Sequence, residues 1–266
     1  MTQSSDVPDR ITLERDGHVL LIGLNRPDKR NAADFAMLQQ LSLAYAELEN
    51  DPELRVGFVF AHGDHFTGGL DLADVGPRIG SDGLDITADG GIDPWQVSGV
   101  ALSKPVVIAV QGTCLTLGVE LVLSADIAVA ASSTRFGQIE VARGILPFGG
   151  ATVRFPRAVG WGNAMRWMLT GDLFDAAEAL RIGLVQEVVA DGEQYDRGLE
   201  LARRVAAQAP LAVQATLANA RLAVRDSDAA AEAALQPELV RLAGSDDAAI
   251  GLQAFVTRQP AEFVGR

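Results

Sequence analysis

Short apolar runs of strand type keep returning between segments of helical period, and this alternation restricts the fold more than any other feature. Residues 56–60, 105–110 and 127–130 are the runs. Phe35, Leu38, Leu41, Tyr45 and Leu48 recur at intervals of three and four, one apolar face of a helix that should end near Asn50-Asp51-Pro52. Residues 119–125 are helical again after a loop. Strands separated by helices pair in parallel, because the crossover returns the chain to the same end of the sheet. A mainly parallel α/β architecture is therefore expected as far as about Val189. Residues 11–15 and 18–24 open the chain as a hairpin, with Asp16-Gly17 as the signal for a type I′ turn.

Beyond Val189 the pattern changes. Residues 195–208, 211–225, 228–243 and 246–257 are rich in Ala, Leu and Arg with helical spacing, punctuated by Pro210, Ser227 and Gly244. A C-terminal helical region follows, docked on the core or on another subunit. Residues 73–99 carry scattered Gly and Asp with little periodicity and are expected to form a long mobile loop.

A chain of 266 residues can bury a sizeable core as one large domain or two small ones. No apolar run reaches the roughly 18 residues that span a bilayer, so no membrane role is expected. The polar stretch from Met1 to Arg10 has no apolar signal core, which predicts a frayed tail and a cytoplasmic location. The single cysteine, Cys114, lies in an apolar stretch and is expected as a small buried side chain. A formal charge of −13 argues against nucleic acid as a partner, since phosphate binding is driven by clustered cations. A small anionic ligand could still be held locally. Lysine occurs only at 29 and 104, and Arg26, Lys29 and Arg30 form the densest basic group near the N-terminus.

Metal chemistry has little support. His62 and His65 have a suitable spacing, but His18 lies in the hairpin and a zinc site needs three or four converging ligands. The aspartates of 73–99 lack the spacing of a calcium loop. No GxSxG, Walker A or GxGxxG pattern is present. Two glycine-containing turns remain, each after a buried strand: residues 65–72 and residues 112–121. Free backbone N–H groups at such turns can point at an anionic oxygen. Glu120 sits among Val119, Leu121, Val122 and Leu123, and a carboxylate on so apolar a helix is either paired or functional.

At this point the chain resembles a known family. Residues 24–32, Leu-Asn-Arg-Pro-Asp-Lys-Arg-Asn-Ala, look like the N-terminal signature of the enoyl-CoA hydratase/isomerase (crotonase) family. Residues 66–72 are similar to its first oxyanion turn, and Lys104 through Gly112 to Glu120 to its second. Phe136-Gly137-Gln138-Ile139-Glu140 with Gly144-Ile145-Leu146-Pro147 resembles the segment carrying its second glutamate. Residues 169–171, 176–185 and 251–258 also match, in order, across nearly the whole chain.

The resemblance implies a spiral of ββα units over residues 1–192, holding the CoA and active sites, and a helical oligomerisation region over residues 193–266. It implies Glu120 and Glu140 as the acid-base pair, with the backbone N–H groups of Leu70 and Leu117 as oxyanion donors. CoA contacts carry over to Arg26, Lys29, Gly68, Leu70, Asp71, Phe255 and Arg258, the last two as contributions to a neighbouring subunit, and the acyl pocket to Trp95 and Phe148. Coenzyme A is then part of the substrate, with no cofactor permanently bound, and the assembly is a homotrimer or dimer of trimers. Both glutamates favour hydration of a 2-enoyl-CoA, a lyase reaction. An enoyl-CoA isomerase is the runner-up, followed by a catalytically weak acyl-CoA-binding member. Phe148 stands eight positions after the second glutamate, where dienoyl isomerases carry an acid. Two departures stand out: Leu117, where the family prefers Gly and the backbone is demanding, and Ile139 in place of a common proline.

Overall fold

In the computed structural model, which describes residues 9–81 and 83–266, the chain opens with the expected hairpin of β1 (Ile11–Asp16) and β2 (Val19–Leu24). Most of the stretch predicted to fray, residues 1–8, lies outside the described residues. Asp16 pairs with Val19, so the two central turn residues are Gly17 and His18, not Asp16 and Gly17. Only Gly17 has positive φ, at 57°, the II′ arrangement that needs glycine at its first central position.

Asp34 then caps α1 (Phe35–Asn50), its carboxylate accepting from Met37 N at 3.0 Å. At the other end the buried Lys104 ammonium donates to the carbonyl oxygens of Leu48 and Asp51, satisfying groups the helix leaves open and complementing its dipole. β3 (Val56–Ala61) follows, and after the first glycine turn comes the short α2 (Leu72–Val75). β4 (Val106–Val110), β5 (Thr113–Leu115) and α3 (Leu117–Ser124) form one ββα unit; β6 (Ile127–Ala131), β7 (Arg135–Gly137) and α4 (Ala151–Val159) form the next. α5 (Trp161–Thr170), β8 (Phe174–Asp175), α6 (Ala176–Ile182) and β9 (Glu187–Val189) complete the strand-bearing part.

Successive strands enter different sheets. β1-β2-β3-β4-β6-β9 make a six-stranded sheet, parallel throughout except for β1, and β5-β7-β8 make a second sheet of three. Each unit therefore lays one strand in each sheet before its helix, and the chain advances as a spiral. Bridges from Thr67 to Cys114 and from Ala33 to Leu70 continue the smaller sheet into the first glycine turn.

The larger sheet is buried on both faces, so its strands read as continuous apolar runs. Period-two alternation sends Leu20, Ile22, Val59 and Ile108 to the core shared with α1 and α3. Val19, Leu21, Phe58, Val107 and Ala109 face the other way, under α7 (Gln194–Ala206). Gly198 lets α7 approach that closely: a Cβ there would lie 2.6 Å from the Phe58 ring. α7 thus packs with the strand core, although the sequence places it on the C-terminal side of a boundary at 192/193. The more detached part is α8 (Pro210–Arg225), α9 (Asp228–Ala243) and α10 (Asp246–Thr257), much of it exposed. No helix among the described residues is long and apolar enough to cross a membrane.

Within the 73–99 segment, residues 92–98 are not loose. Asp93 is buried and accepts from the N–H groups of Trp95, Val97 and Ser98, so its carboxylate organises the end of the segment. Ile92 and Trp95 are buried with it.

Candidate active site

Both glycine turns meet the start of the 3-10 turn Glu140–Arg143 around one cavity of about 220 Å³. Its walls are Gly68, Leu70, Leu72, Thr116, Leu117, Glu120, Ile139, Glu140, Arg143, Ile145 and Phe148.

The first turn is held by Asn31. Fully buried, its side-chain nitrogen donates to the carbonyl oxygens of His62 and His65 at 2.9 and 2.8 Å, and its Oδ1 accepts from Arg26 N. Thr67 Oγ1 donates to Asn31 O at 2.6 Å. Ala33 N donates to Gly69 O and Asp71 N to Ala33 O, which leaves Leu70 N between them without an acceptor among the described residues. Gly69 has φ of 101°, and a Cβ there would stand 2.3 Å from Thr116 Oγ1, so the two turns touch at a glycine.

In the second turn the demanding backbone belongs to Thr116, not to Leu117. Thr116 has φ 51° and ψ −115°, a region costing a residue with a side chain on the order of 1–3 kcal/mol. It is held there by its N–H, which donates to Gly137 O at 2.8 Å. Leu117 is already the first residue of α3, so it needs no glycine. Its N–H, one of the donors every helix start leaves open, also has no acceptor among the described residues.

Glu120, one turn into α3, is 2% exposed, and its Oε1 accepts from Ala151 N at 3.0 Å. Burial raises its pKa, while the backbone N–H groups of Ala151 and Gly149 pull the other way by favouring the carboxylate. Glu140 is 4% exposed, and burial pushes its carboxyl up to about 7, with the Glu120 charge adding to the rise. Buried Gln138 bridges the turn to the acid: with its amide nitrogen oriented inward it donates to Thr116 O and Glu140 Oε1, both at 3.1 Å. The cavity thus holds two buried acids, Glu140 raised to about 7 and Glu120 backed by backbone donors, together with two unpaired amides.

Of the residues singled out in the sequence, Glu120, Glu140, Gly68, Leu70, Leu117 and Phe148 line this cavity. Trp95 does not. It is buried behind the wall, where its indole nitrogen meets Leu117 O. Arg26 and Asp71 meet beside the first turn and are not cavity residues: the Arg26 guanidinium bonds Asp71 Oδ2 at 2.8 Å and Ala32 O at 2.9 Å, and lies 3.4 Å from Asp34. Their charges are engaged with each other. Lys29 is exposed on the 3-10 turn Pro27–Lys29. Phe255, 85% exposed, and Arg258 sit at the end of α10 and are not cavity residues. His62 bonds Thr12 Oγ1 and His65 accepts from Thr113 N, and no group of three metal-binding side chains occurs among the described residues. Sequence reasoning missed Leu72, Thr116, Gln138, Arg143 and Ile145. Arg143 carried a usable signal, three residues beyond Glu140.

The model of the enoyl-CoA hydratase/isomerase family matches residues 14–266. Enoyl-CoA hydratase EchA19 of Mycobacterium tuberculosis is 33% identical over 267 residues, covering 97% of each chain. The 2,3-dehydroadipyl-CoA hydratase of Escherichia coli is 33% identical over 263 residues, 96% of this chain and 99% of that one. A crystal structure of a probable enoyl-CoA hydratase/isomerase from Mycobacterium abscessus superimposes with a TM-score of 0.94 at 57% identity, over 97% of this chain and 99% of the other.

Proposed function

This chain belongs to the enoyl-CoA hydratase/isomerase family, and from that premise we propose that it adds water across the 2,3 double bond of an enoyl-CoA thioester to give a 3-hydroxyacyl-CoA. The observation that carries the reading is the pair of unequal carboxyl groups in one cavity. The thioester oxygen accepts hydrogen bonds from Leu70 N and Leu117 N. Glu120 takes a proton from water as the water oxygen bonds to C3. The electron pair of the double bond moves onto the thioester oxygen as an enolate, and Glu140 returns a proton to C2. Preorganised amides suit an oxygen whose charge grows during reaction; losing one such donor typically costs about 10²–10³ in rate. Thr116 bears the backbone strain, so Leu117 is no obstacle to this role.

Coenzyme A arrives with each substrate and leaves with each product, held by backbone near Gly68 and Leu70 and by Lys29. Phe255 and Arg258 serve a neighbouring protomer in a trimer or dimer of trimers. Exposed Leu252, Phe255 and Val256 at the end of α10 support an interface there. A monomeric mass by light scattering would remove that part. The protein works in the cytoplasm, where the buried thiol of Cys114 stays reduced.

Glu120→Gln and Glu140→Gln test the chemistry. Each should lower kcat on crotonyl-CoA by ~10²–10⁴, with the double variant losing less than the product of the two. Near wild-type turnover in either single variant defeats the two-glutamate reading. Loss confined to Glu140→Gln would point to double-bond isomerisation, and acyl-CoA binding without turnover of any enoyl-CoA by the unaltered protein to a binding role.

A further inference from the structure

Three of the residues around the cavity are charged: Glu120, Glu140 and Arg143. The glutamates have work in the proposed reaction. Arg143 does not, and its guanidinium has no ion pair or hydrogen bond among the described residues. It is exposed, and among the charged residues of the cavity lining it is the one cation. The same cavity is lined by the apolar Leu72, Ile145 and Phe148.

Its position relative to Glu140 has a direction. The two residues begin and end the 3-10 turn Glu140–Arg143. Side chains at i and i+3 of such a turn eclipse, separated by about 6 Å along the axis. If the thioester lies between Leu70 and Leu117 with C2 at Glu140, an acyl chain that continues past C3 on the side of this turn meets Arg143 a few carbon atoms on. A guanidinium fork matches a carboxylate in two-point geometry.

We propose that Arg143 recognises a carboxylate at the far end of the acyl group, so that this site takes short 2-enoyl-CoA thioesters with an acidic terminus. This rests on the placement of the thioester in the proposed function, and the same anionic chemistry could come from a coenzyme phosphate.

The test uses ligands that cannot be hydrated. Hexanoyl-CoA and adipoyl-CoA have equal carbon count and differ in the terminal carboxylate. Their dissociation constants would be measured by calorimetry at low salt for the full chain and for Arg143→Gln. The unaltered protein should favour adipoyl-CoA by roughly fivefold or more, the scale of one charge-assisted contact. Arg143→Gln should erase that ratio, and Arg143→Lys should restore part of it. The proposal is overturned by a ratio near one in the unaltered protein, by a ratio the glutamine variant leaves unchanged, or by equal weakening of both ligands, which would assign Arg143 to a phosphate. Failure to hydrate crotonyl-CoA would count against the hydratase reading and leave these binding ratios readable.

Discussion

The indole Nε1 of Trp95 donates a 2.9 Å hydrogen bond to the carbonyl oxygen of Leu117, the first residue of α3. Trp95 is itself set by Asp93, which accepts its N–H. The end of the 73–99 segment therefore fixes the helix start that presents the Leu117 amide and, one turn on, Glu120. Trp95→Phe keeps most of the ring and removes the donor. It should lower kcat on a 2-enoyl-CoA by roughly five- to tenfold, the worth of about one buried hydrogen bond, with a smaller change in KM. A lower melting temperature with unchanged kcat would make the contact purely structural.

Gly149 packs against Glu120 more tightly than any side chain allows. A Cβ at 149 would lie 2.5 Å from Glu120 Oε2 and 2.9 Å from Trp95 Cδ1. Gly149→Ala must displace the carboxylate, and a misplacement near 1 Å costs on the order of 10²-fold in rate. Steady-state kinetics should show kcat falling with the fold intact by circular dichroism. Undiminished turnover would mean that the position of Glu120 is not critical.

Glu140 links stability to pH. Its folded-state pKa of about 7 lies above the ordinary 4.5, so the folded chain holds a proton there that the unfolded chain releases. The contribution is fully present below 4.5 and is lost as pH rises through 7. Glu140→Gln removes this dependence, so the variant should gain stability relative to the unaltered protein between pH 5 and about 8. Urea unfolding at both pH values measures the difference, and a constant difference would contradict it. As the proton donor to C2, Glu140 should also make kcat/KM fall above about pH 7.

Arg26 and Lys29 should separate cleanly. Arg26→Ala leaves the largely shielded Asp71 carboxylate without its cation, while Asp34 keeps Arg10 at 2.8 Å, and should cost on the order of 1–3 kcal/mol in unfolding experiments. Lys29→Ala should leave stability within about 0.5 kcal/mol and weaken acyl-CoA binding at low salt but not at high salt. Salt-independent affinity in the Lys29 variant would move the phosphates elsewhere.

The order of strands and helices was legible in the sequence because its signals are local. Apolar spacing places α1 and α7 to α10 close to their observed bounds, and a carboxylate among apolar neighbours marks Glu120 before any contact is known. The family motifs brought Glu140, Leu70 and Leu117 to the same site. Partnership was not legible. Arg26 reads as a free cation until the fold brings Asp71, 45 residues away, against it. Trp95 reads as pocket lining until its indole is seen to point at Leu117, and the left-handed backbone falls on Thr116 because its N–H is anchored to Gly137 across the smaller sheet. Periodicity and turn chemistry act between residues a few positions apart, where backbone geometry fixes the distance. Whether a charge is paired, an amide open or a backbone strained depends on atoms far along the chain, and only their packing in three dimensions decides it.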